Sequence, residues 1–293
     1  MRLSLVIATK GRPERLRDTL ASLRGCDPPP LEVVVVDGDP ARSAEPVVEE
    51  HRAAGDRPPA RYLATPAGLT LQRNRGIDAA RGDVVVFADD DVEFDPGIFG
   101  VVAEVHGEPG VVGMTARIVE EDERIGAGAS RLRELLPGGG EQGSMTRFGY
   151  PRRLVDLGTP RDVEFVHGCL MSARRDVAAE LRFDEALTGY GLAEDEDFGY
   201  RLSRRGRVRY EPRARVVHHN LGFKGTGTRD FNRMLVINRT YLFRKNFPEA
   251  GAFANLQFGL LLAILALHRA LNREWRGVQG IAEGARTAWA RRD

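Results

Sequence analysis

Residues 84–91 read Val84-Val85-Val86-Phe87-Ala88-Asp89-Asp90-Asp91, and this stretch decides the fold. Its five apolar residues have the length and the β-branched composition of a strand buried on both faces of a parallel sheet. Because side chains alternate along an extended segment, Asp89 and Asp91 point to the same side. The stretch therefore predicts a core strand whose carboxyl end presents two carboxylates.

Two earlier apolar runs also end in polar residues. Leu3–Ala8 is followed by the loop Thr9-Lys10-Gly11-Arg12-Pro13, and the run from Leu31 to Val36 ends at Asp37. Leucines at helical spacing follow the first run. Strands that alternate with helices and end in polar residues predict an α/β fold. We expect a Rossmann-like, mostly parallel central sheet flanked by helices, with the ligand beyond the carboxyl ends of its strands.

The first strand is not followed by a glycine-rich phosphate loop. Neither Gly-x-Gly-x-x-Gly nor Gly-x-x-x-x-Gly-Lys-[Ser/Thr] occurs there. A phosphate ligand would then be held most simply by Mn²⁺ or Mg²⁺, which bind carboxylates together with phosphate oxygens. We therefore predict that Asp89 and Asp91 hold a metal. The alternative is a plain acidic turn, but three adjacent acids repel one another when no cation is present.

A second acidic cluster begins a predicted helix over 194–205. Its first turn is Glu194-Asp195-Glu196-Asp197, and acids in a first turn also stabilise the positive end of the helix dipole. Four acids exceed what the dipole requires, so a carboxylate here is a candidate general base for an attacking hydroxyl. Both interpretations stay open.

Histidines and cysteines add fewer constraints. His218 and His219 follow Val216-Val217 at a strand end, where an imidazole either completes a Mn²⁺ shell or is structural. Cys26 and Cys169 form no Cys-x-x-Cys and no Cys/His cluster in the sequence, which predicts neither a disulfide framework nor a structural zinc site. The low cysteine content and an N-terminal run too short for a signal peptide favour the cytoplasm.

The net charge argues against a nucleic-acid partner, but charge differs along the chain. The 293 residues carry 43 basic and 42 acidic side chains, a net charge of +1. Residues 200–293 alone carry +13, which suits phosphate groups or an anionic lipid surface, although solvated surface charge is the plainer explanation.

The C-terminal region contains 18 uncharged residues, 250–267, followed by Arg269, Arg273, Trp275 and Arg276. Asn255 and Gln257 interrupt the apolar run, which favours an interfacial helix over a membrane span. We predict a membrane-surface contact through 250–280, peripheral on the inner face of the cell membrane. A buried helix or a homodimer helix is the alternative.

Three segments organise the chain. We predict one domain over 1–220, with a nucleotide-binding half over 1–110 and an acceptor-side half over 111–220. The glycine-rich residues 122–160 are predicted as a mobile lid or acceptor loop. Residues 221–293 form a basic, helical C-terminal extension.

Taken together, these segments resemble the family 2 glycosyltransferases, which have the GT-A fold and invert configuration at the transferred sugar. The likeness covers Leu3 to His219. Its carriers are Val6-Ile7-Ala8-Thr9, Val35-Val36-Asp37, Arg73-Asn74-Arg75-Gly76-Ile77-Asp78-Ala79-Ala80-Arg81-Gly82-Asp83, Phe87-Ala88-Asp89-Asp90-Asp91, Gly191, Glu194-Asp195-Glu196-Asp197-Phe198, Arg201-Leu202, Gly206 and Val217-His218.

The resemblance implies a role for each matching residue. Asp89 and Asp91 are the outer acids of the Asp-x-Asp motif, with Asp89 toward the ribose or diphosphate and Asp91 on the metal. Asp195 is the general base, and His218 is a further metal or diphosphate contact. Other residues are assigned to the donor nucleotide: Thr9, Arg12, Asp37, Arg73 and Asp90. For Asp37 the plain alternative is an Asp-Gly turn.

The expected function is therefore metal-dependent, inverting transfer of a sugar from a nucleoside-diphosphate sugar, a UDP-sugar being favoured, to the hydroxyl of an acceptor in one displacement. A non-catalytic, nucleotide-sugar-binding scaffold at the membrane is the main alternative. Asp89-Asp90-Asp91-Val92 also resembles the motif of haloacid-dehalogenase-like phosphatases, but Glu93 occupies the fifth position and the motif follows the third strand rather than the first.

Overall fold

The computed structural model describes residues 1–120, 141–152, 154, 158–219 and 228–290. Within these residues the chain divides into two compact units, one formed by 1–120, 154 and 158–219 and the other by 141–152 and 228–290. The predicted lid, 122–160, lies largely outside the described residues.

The first unit is a mixed α/β structure. Its described strands are β1 (Leu3–Thr9), β2 (Glu32–Asp37), β3 (Ala60–Ala64), β4 (Val84–Ala88), β5 (Val92–Phe94), β6 (Val111–Glu120), β7 (Arg161–Asp162), β8 (Leu170–Arg174) and β9 (Arg207–His218). Its described helices are α1 (Pro13–Ser22), α2 (Glu45–Ala53), α3 (Leu69–Ala79), α4 (Ile98–Gly107), α5 (Arg175–Leu181) and α6 (Glu194–Ser203). These elements confirm the predicted fold class.

The strands form one sheet in the order β3-β2-β1-β4-β8-β6-β9-β5, and β7 pairs with β9. Neighbours from β3 to β4 are parallel, as are β6 and β9, whereas β8 runs antiparallel to both β4 and β6. The register places Thr9 opposite Asp37, and Ala88 opposite Leu170. The ends of β1, β2 and β4 therefore meet at one edge, together with the residues that precede β8.

Strand β1 is apolar because both faces of the sheet are covered by helices. Leu5 and Ile7 join one core with residues of α1, α2 and α4, while Val6 joins the other with residues of α3, α5 and α6. A Cβ on Gly76 of α3 would lie 2.2 Å from Val6 Cγ1, so only glycine permits this close approach.

The second unit is helical and contains α7 (Arg229–Asn246), α8 (Ala252–Leu271) and α9 (Trp275–Ala290). Aromatic and apolar side chains of 141–152, α7 and α8 share a small core, which consists of Phe148, Tyr150, Phe243, Ala254, Phe258 and Leu261. Helices α7 and α9 are in backbone contact, because a Cβ on Gly280 would lie 2.1 Å from the Arg229 carbonyl oxygen.

Helix α8 is long and apolar enough to cross a membrane by length and composition, and only 17% of its most apolar window is buried. The large exposed apolar side chains of the described residues concentrate on α8 and α9. They include Phe253, Leu256, Leu260, Leu267, Leu271, Trp275 and Trp289.

Candidate active site

The three acids after β4 face two directions. Asp90 is fully buried and points into the protein, where it accepts a 2.6 Å hydrogen bond from Thr9 Oγ1. Burial raises the pKa of Asp90 to about 6, against the opposing effects of Arg12 and Thr9. Asp89 and Asp91 both have His218 as a neighbour, in keeping with the alternation expected of an extended segment.

Arg12, in the loop after β1, joins two of these acids. Its guanidinium lies 2.6 Å from Asp90 Oδ1 and 3.0 Å from Asp91 Oδ2, and its side chain is about half exposed. We call the sheet edge at which Asp89, Asp90 and Asp91 follow β4 the acidic edge. The loop between β1 and α1 therefore contributes a positive charge at the acidic edge. Roles of Thr9, Arg12 and Asp90 toward a donor nucleotide stay predictions.

His218, rather than His219, is the histidine that faces this cluster. Its Nε2 lies 3.3 Å from Asp91 Oδ1, and its Nδ1 lies 3.6 Å from Cys169 Sγ. His219 Nε2 lies instead 3.4 Å from the Glu93 carboxylate. Burial would raise the pKa of Asp91, but His218 and Arg12 together hold it below its ordinary value, so Asp91 is ionised at neutral pH.

The helix α6 brings Asp195 to the same edge. Asp195 Oδ2 accepts a 2.8 Å hydrogen bond from the Gly168 N–H, and Asp195 Oδ1 accepts another from the Glu196 N–H. The residue before the helix, Ala193, has φ +72°, a left-handed conformation that is rare for alanine. This turn directs the first residues of α6 toward the segment before β8.

Arg73, on α3, connects the two acidic clusters. It is 1% exposed and lies 2.5 Å from Glu194 Oε1, 3.3 Å from Asp89 Oδ1 and 3.0 Å from the Gly168 carbonyl oxygen. Burial alone would lower the pKa of Arg73, but Glu194, Asp89 and Asp195 raise it above its ordinary value. Arg73 therefore remains a cation that holds Asp89 and the start of α6 together.

The carboxylates around Arg73 lie in a strongly desolvated region. Burial, and then the nearby charge of Asp195, raise the pKa of Glu194 above its ordinary range although Arg73 opposes them. Burial likewise raises the pKa of Asp89. Partial burial and the neighbouring acids raise the pKa of the Tyr190 hydroxyl to about 12. The acidic groups here oppose one another's ionisation, and a bound cation would relieve that opposition.

Asp37 is held by the protein itself. It is fully buried, and its carboxylate accepts hydrogen bonds from the Asp39 N–H at 2.8 Å, the Ala44 N–H at 3.1 Å and the Tyr62 hydroxyl at 3.2 Å. These contacts match the plain turn interpretation. A contact of Asp37 with the nucleoside stays a prediction.

The donor set of the cluster fits a divalent cation. Asp91 Oδ1 receives no hydrogen bond from the described residues, although it is buried, and it converges with His218 Nε2. Carboxylate oxygen with imidazole nitrogen suits Mn²⁺, and carboxylate with water and phosphate oxygens also suits Mg²⁺. A cation at Asp91 would satisfy the unbonded oxygen.

Three residues at this edge were not assigned roles in the sequence: Glu194, Gly168 and Cys169. Glu194 was noted only as an acid of the first helical turn, and its partner Arg73 is 121 residues away. Cys169 forms no cluster with histidine in the sequence, yet in the fold it joins Asp89 and His218 as a group of potential metal donors.

Comparisons with known proteins agree with this geometry. A family model described as glycosyl transferase family 2 matches residues 4–182, more than half of the chain. No curated protein is significantly similar to the chain in sequence.

Solved structures share the fold at low sequence identity. PcManGT, a mannosyltransferase from Pyrobaculum calidifontis solved with GDP-Man and Mn²⁺, is 16% identical with a TM-score of 0.61, over 100% of this chain and 88% of its own. GalNAc-T7, solved with UDP, GalNAc and Mn²⁺, is 18% identical with a TM-score of 0.58, over 88% of this chain and 53% of its own. TarS from S. aureus is 15% identical with a TM-score of 0.55, over 84% of this chain and 43% of its own.

The structural neighbours confirm the predicted GT-A fold. The family match confirms the prediction of a nucleotide-sugar-dependent glycosyltransferase, and the chain belongs to glycosyl transferase family 2.

Proposed function

We propose that this protein transfers a sugar from a nucleoside-diphosphate sugar to an acceptor hydroxyl with inversion of configuration, and that Asp195 is the general base. One observation carries the proposal. Gly168 donates its N–H to Asp195 and accepts a hydrogen bond from Arg73, which in turn contacts Asp89. A candidate base and the acidic edge are thus held by the same backbone segment.

The donor diphosphate would lie beside Asp89 and Asp91. We assign Asp91 and His218 as ligands of a Mn²⁺ or Mg²⁺ ion, with Asp89 toward the ribose or diphosphate; the neighbours PcManGT and GalNAc-T7 were solved with Mn²⁺. Such an ion, when bound, neutralises charge that develops on the departing diphosphate. Arg12 lies beside Asp91 and adds a second positive group close to the same charge.

Asp195 would act on the acceptor. The Gly168 N–H orients its carboxylate, and the carboxylate oxygens retain lone pairs for the acceptor hydroxyl. Asp195 takes the hydroxyl proton while the acceptor oxygen bonds to the anomeric carbon, and the bond from that carbon to the diphosphate oxygen breaks on the opposite face. A single displacement of this kind inverts the anomeric configuration.

A nucleotide-binding experiment tests the donor site. Thermal unfolding of the protein is measured with UDP, GDP, dTDP and CMP, each with Mn²⁺ and with EDTA. A ligand that binds only the folded state raises the melting temperature. We expect a rise with one diphosphate that EDTA removes. No rise with any nucleotide would contradict the donor site.

Replacement of the base separates catalysis from binding. Asp195→Asn keeps the shape of the side chain and the acceptor for the Gly168 N–H but removes the basic oxygen. We expect sugar transfer to fall by about 10² to 10⁴, while the metal-dependent nucleotide shift is retained. Glu196→Gln is the matched control on the same helical turn, and it should keep its activity. Unchanged transfer by Asp195→Asn would overturn the assignment of the base.

We also propose that α8 attaches the enzyme to an anionic membrane surface. Its exposed apolar residues recur at positions 253, 256, 260, 267 and 271, which places them on one face of the helix. Arg273 and Arg276 follow directly, where they can meet lipid headgroups. A lipid-linked acceptor would suit such a location.

A further inference from the structure

The strand pairing of the first unit brings a thiol to the acidic edge. Leu170 pairs with Ala88 between the antiparallel strands β8 and β4, so Cys169 lies beside Asp89, and the Asp89 N–H donates to the Cys169 carbonyl at 3.3 Å. His218 enters from the end of β9 with Nδ1 3.6 Å from Cys169 Sγ. Three separate segments therefore deliver a carboxylate, a thiol and an imidazole to one place.

These three side chains have the spacing of metal ligands. One donor atom from each of Asp89, Cys169 and His218 lies within 4.8 Å of the other two, and all three residues are partly accessible to solvent. Sulfur is a soft donor that Mg²⁺ does not select, whereas Zn²⁺ and Co²⁺ bind thiolate, imidazole and carboxylate in tetrahedral sites. The chemistry of the set differs from that of the Asp91 carboxylate and the donor phosphates.

We propose that Asp89, Cys169 and His218 form a binding site for a thiophilic divalent cation, with Zn²⁺ as the physiological representative of the class. Cys169 binds as the thiolate, and its proton passes to solvent. His218 contributes Nδ1, the nitrogen that faces the thiol, while Nε2 remains directed at Asp91. A water molecule would fill the fourth position, since all three residues are partly accessible to solvent.

Occupancy of this site would regulate the enzyme, and this consequence rests on the proposed function. The ion engages Asp89, which we assign to the donor ribose or diphosphate, and it takes one nitrogen of His218, which we assign to the catalytic metal. Zn²⁺ and the nucleotide-sugar with Mn²⁺ would then exclude each other. Zn²⁺ would inhibit transfer, and a higher donor concentration would relieve the inhibition.

Cobalt spectroscopy of the full-length protein tests the site without any activity measurement. Co²⁺ bound by a thiolate gives a charge-transfer absorption in the near ultraviolet together with intense visible bands when it is tetrahedral. We expect both signals to saturate at one Co²⁺ per chain and to disappear when Zn²⁺ displaces the cobalt. The absence of a thiolate band in the wild-type protein would overturn the proposal.

The chain offers a matched control because it has two cysteines. Cys169→Ser should abolish the charge-transfer band and weaken Zn²⁺ binding at least about tenfold, whereas Cys26→Ala, a change in the buried core, should retain both. Circular dichroism checks that each variant is folded. As a measurement that needs no variant, Zn²⁺ should slow the reaction of Cys169 with an aromatic disulfide at least about tenfold. An equal band in both variants would refute the assignment of Cys169.

The cobalt experiment tests the thiol site whether or not the proposed function is correct. A cobalt band without any nucleotide-dependent thermal shift would establish the thiol site while refuting the donor site. A nucleotide-dependent thermal shift with Mn²⁺ but no cobalt band would support the donor site and refute the thiol site.

Discussion

Arg73 lies between Glu194 at 2.5 Å and Asp89 at 3.3 Å, and it is almost completely buried. Arg73 is the cation that both of these carboxyl groups face in a desolvated place, and it opposes the rise in their pKa values that burial causes. Arg73 also donates a hydrogen bond to the carbonyl oxygen of Gly168, and the N–H of Gly168 donates to Asp195. Arg73 therefore has a positioning role toward Asp195 in addition to its predicted contact near the nucleoside.

We expect Arg73→Met to destabilise the protein by about 3 to 5 kcal/mol, because it leaves the carboxyl groups of Glu194 and Asp89 without the guanidinium that they contact. Adding Glu194→Gln should recover at least about 1 kcal/mol of the unfolding free energy, since the ionisable group that lost its partner is removed. Urea unfolding at neutral pH measures both. Arg205→Met is the control, because its partner Glu180 is exposed and the change should cost under about 1 kcal/mol. Simple additivity of the two buried changes would contradict the coupling.

Individual site residues differ in how far the sequence could reveal them. Asp89 and Asp91 follow β4 and His218 ends β9, and residues at the carboxyl ends of strands were candidates for one site before the fold was known. That β4 and β9 run in the same direction with two strands between them could not be predicted. Glu194 and Cys169 gain their partners only through contacts over 121 and 49 residues. No local pattern encodes such contacts. For Asp37, the Asp37-Gly38 pair had already indicated a turn as the alternative to a nucleoside contact.

At the scale of elements, helix α4 carries a buried histidine away from the acidic edge. His106 Nε2 lies 2.8 Å from Ser172 Oγ of β8, which ties α4 to the central sheet. Burial, and then the charge of Arg174, lower the pKa of His106 to about 4. The imidazole is therefore neutral in the folded protein near neutral pH.

This histidine makes stability depend on pH. The pKa is about 4 in the folded state and about 6.5 in the unfolded state, so the unfolded state binds the additional proton as the pH falls below 6.5. The contribution of His106 to the free energy of unfolding is fully present above pH 6.5 and declines as the pH falls toward 4. Between pH 7.5 and pH 5 we expect a loss of about 2 kcal/mol. The free energy of unfolding of His106→Gln should fall by about 2 kcal/mol less than that of the wild type over this interval. Urea unfolding at both pH values measures the difference. Equal losses would show that His106 does not titrate in this range.

The elements were predictable where pattern alone specifies them. The predicted strands Leu3–Ala8 and 84–88 are observed as β1 and β4, and the predicted helix over 194–205 begins at Glu194 as expected. The antiparallel insertion of β8 between β4 and β6 was not predictable, because its direction depends on pairing with strands far apart in sequence. That insertion is what places Gly168 and Cys169 at the functional edge.

At the scale of the whole molecule, the described residues separate into a sheet unit that carries the catalytic candidates and a helical unit that carries the exposed apolar face. The sequence indicated both through composition: buried β-branched runs in the first part, and an uncharged run followed by arginines in the last. Composition did not reveal how little of α8 is buried. An exposed apolar face of this kind is typical of a contact surface.

Vesicle binding tests whether that partner is a membrane. Leu256→Glu combined with Leu260→Glu places two charges on the exposed face of α8, and burial of each leucine in lipid is worth about 2 kcal/mol. We expect flotation with anionic phospholipid vesicles to weaken at least about tenfold for this variant, and wild-type binding to weaken in high salt as the arginine contribution is screened. Leu31→Glu is the matched control, because Leu31 is exposed on the sheet unit and should leave flotation unchanged. A stable homodimer that does not float would identify a second copy of the chain as the partner instead, and extraction from membranes only by detergent would indicate a span.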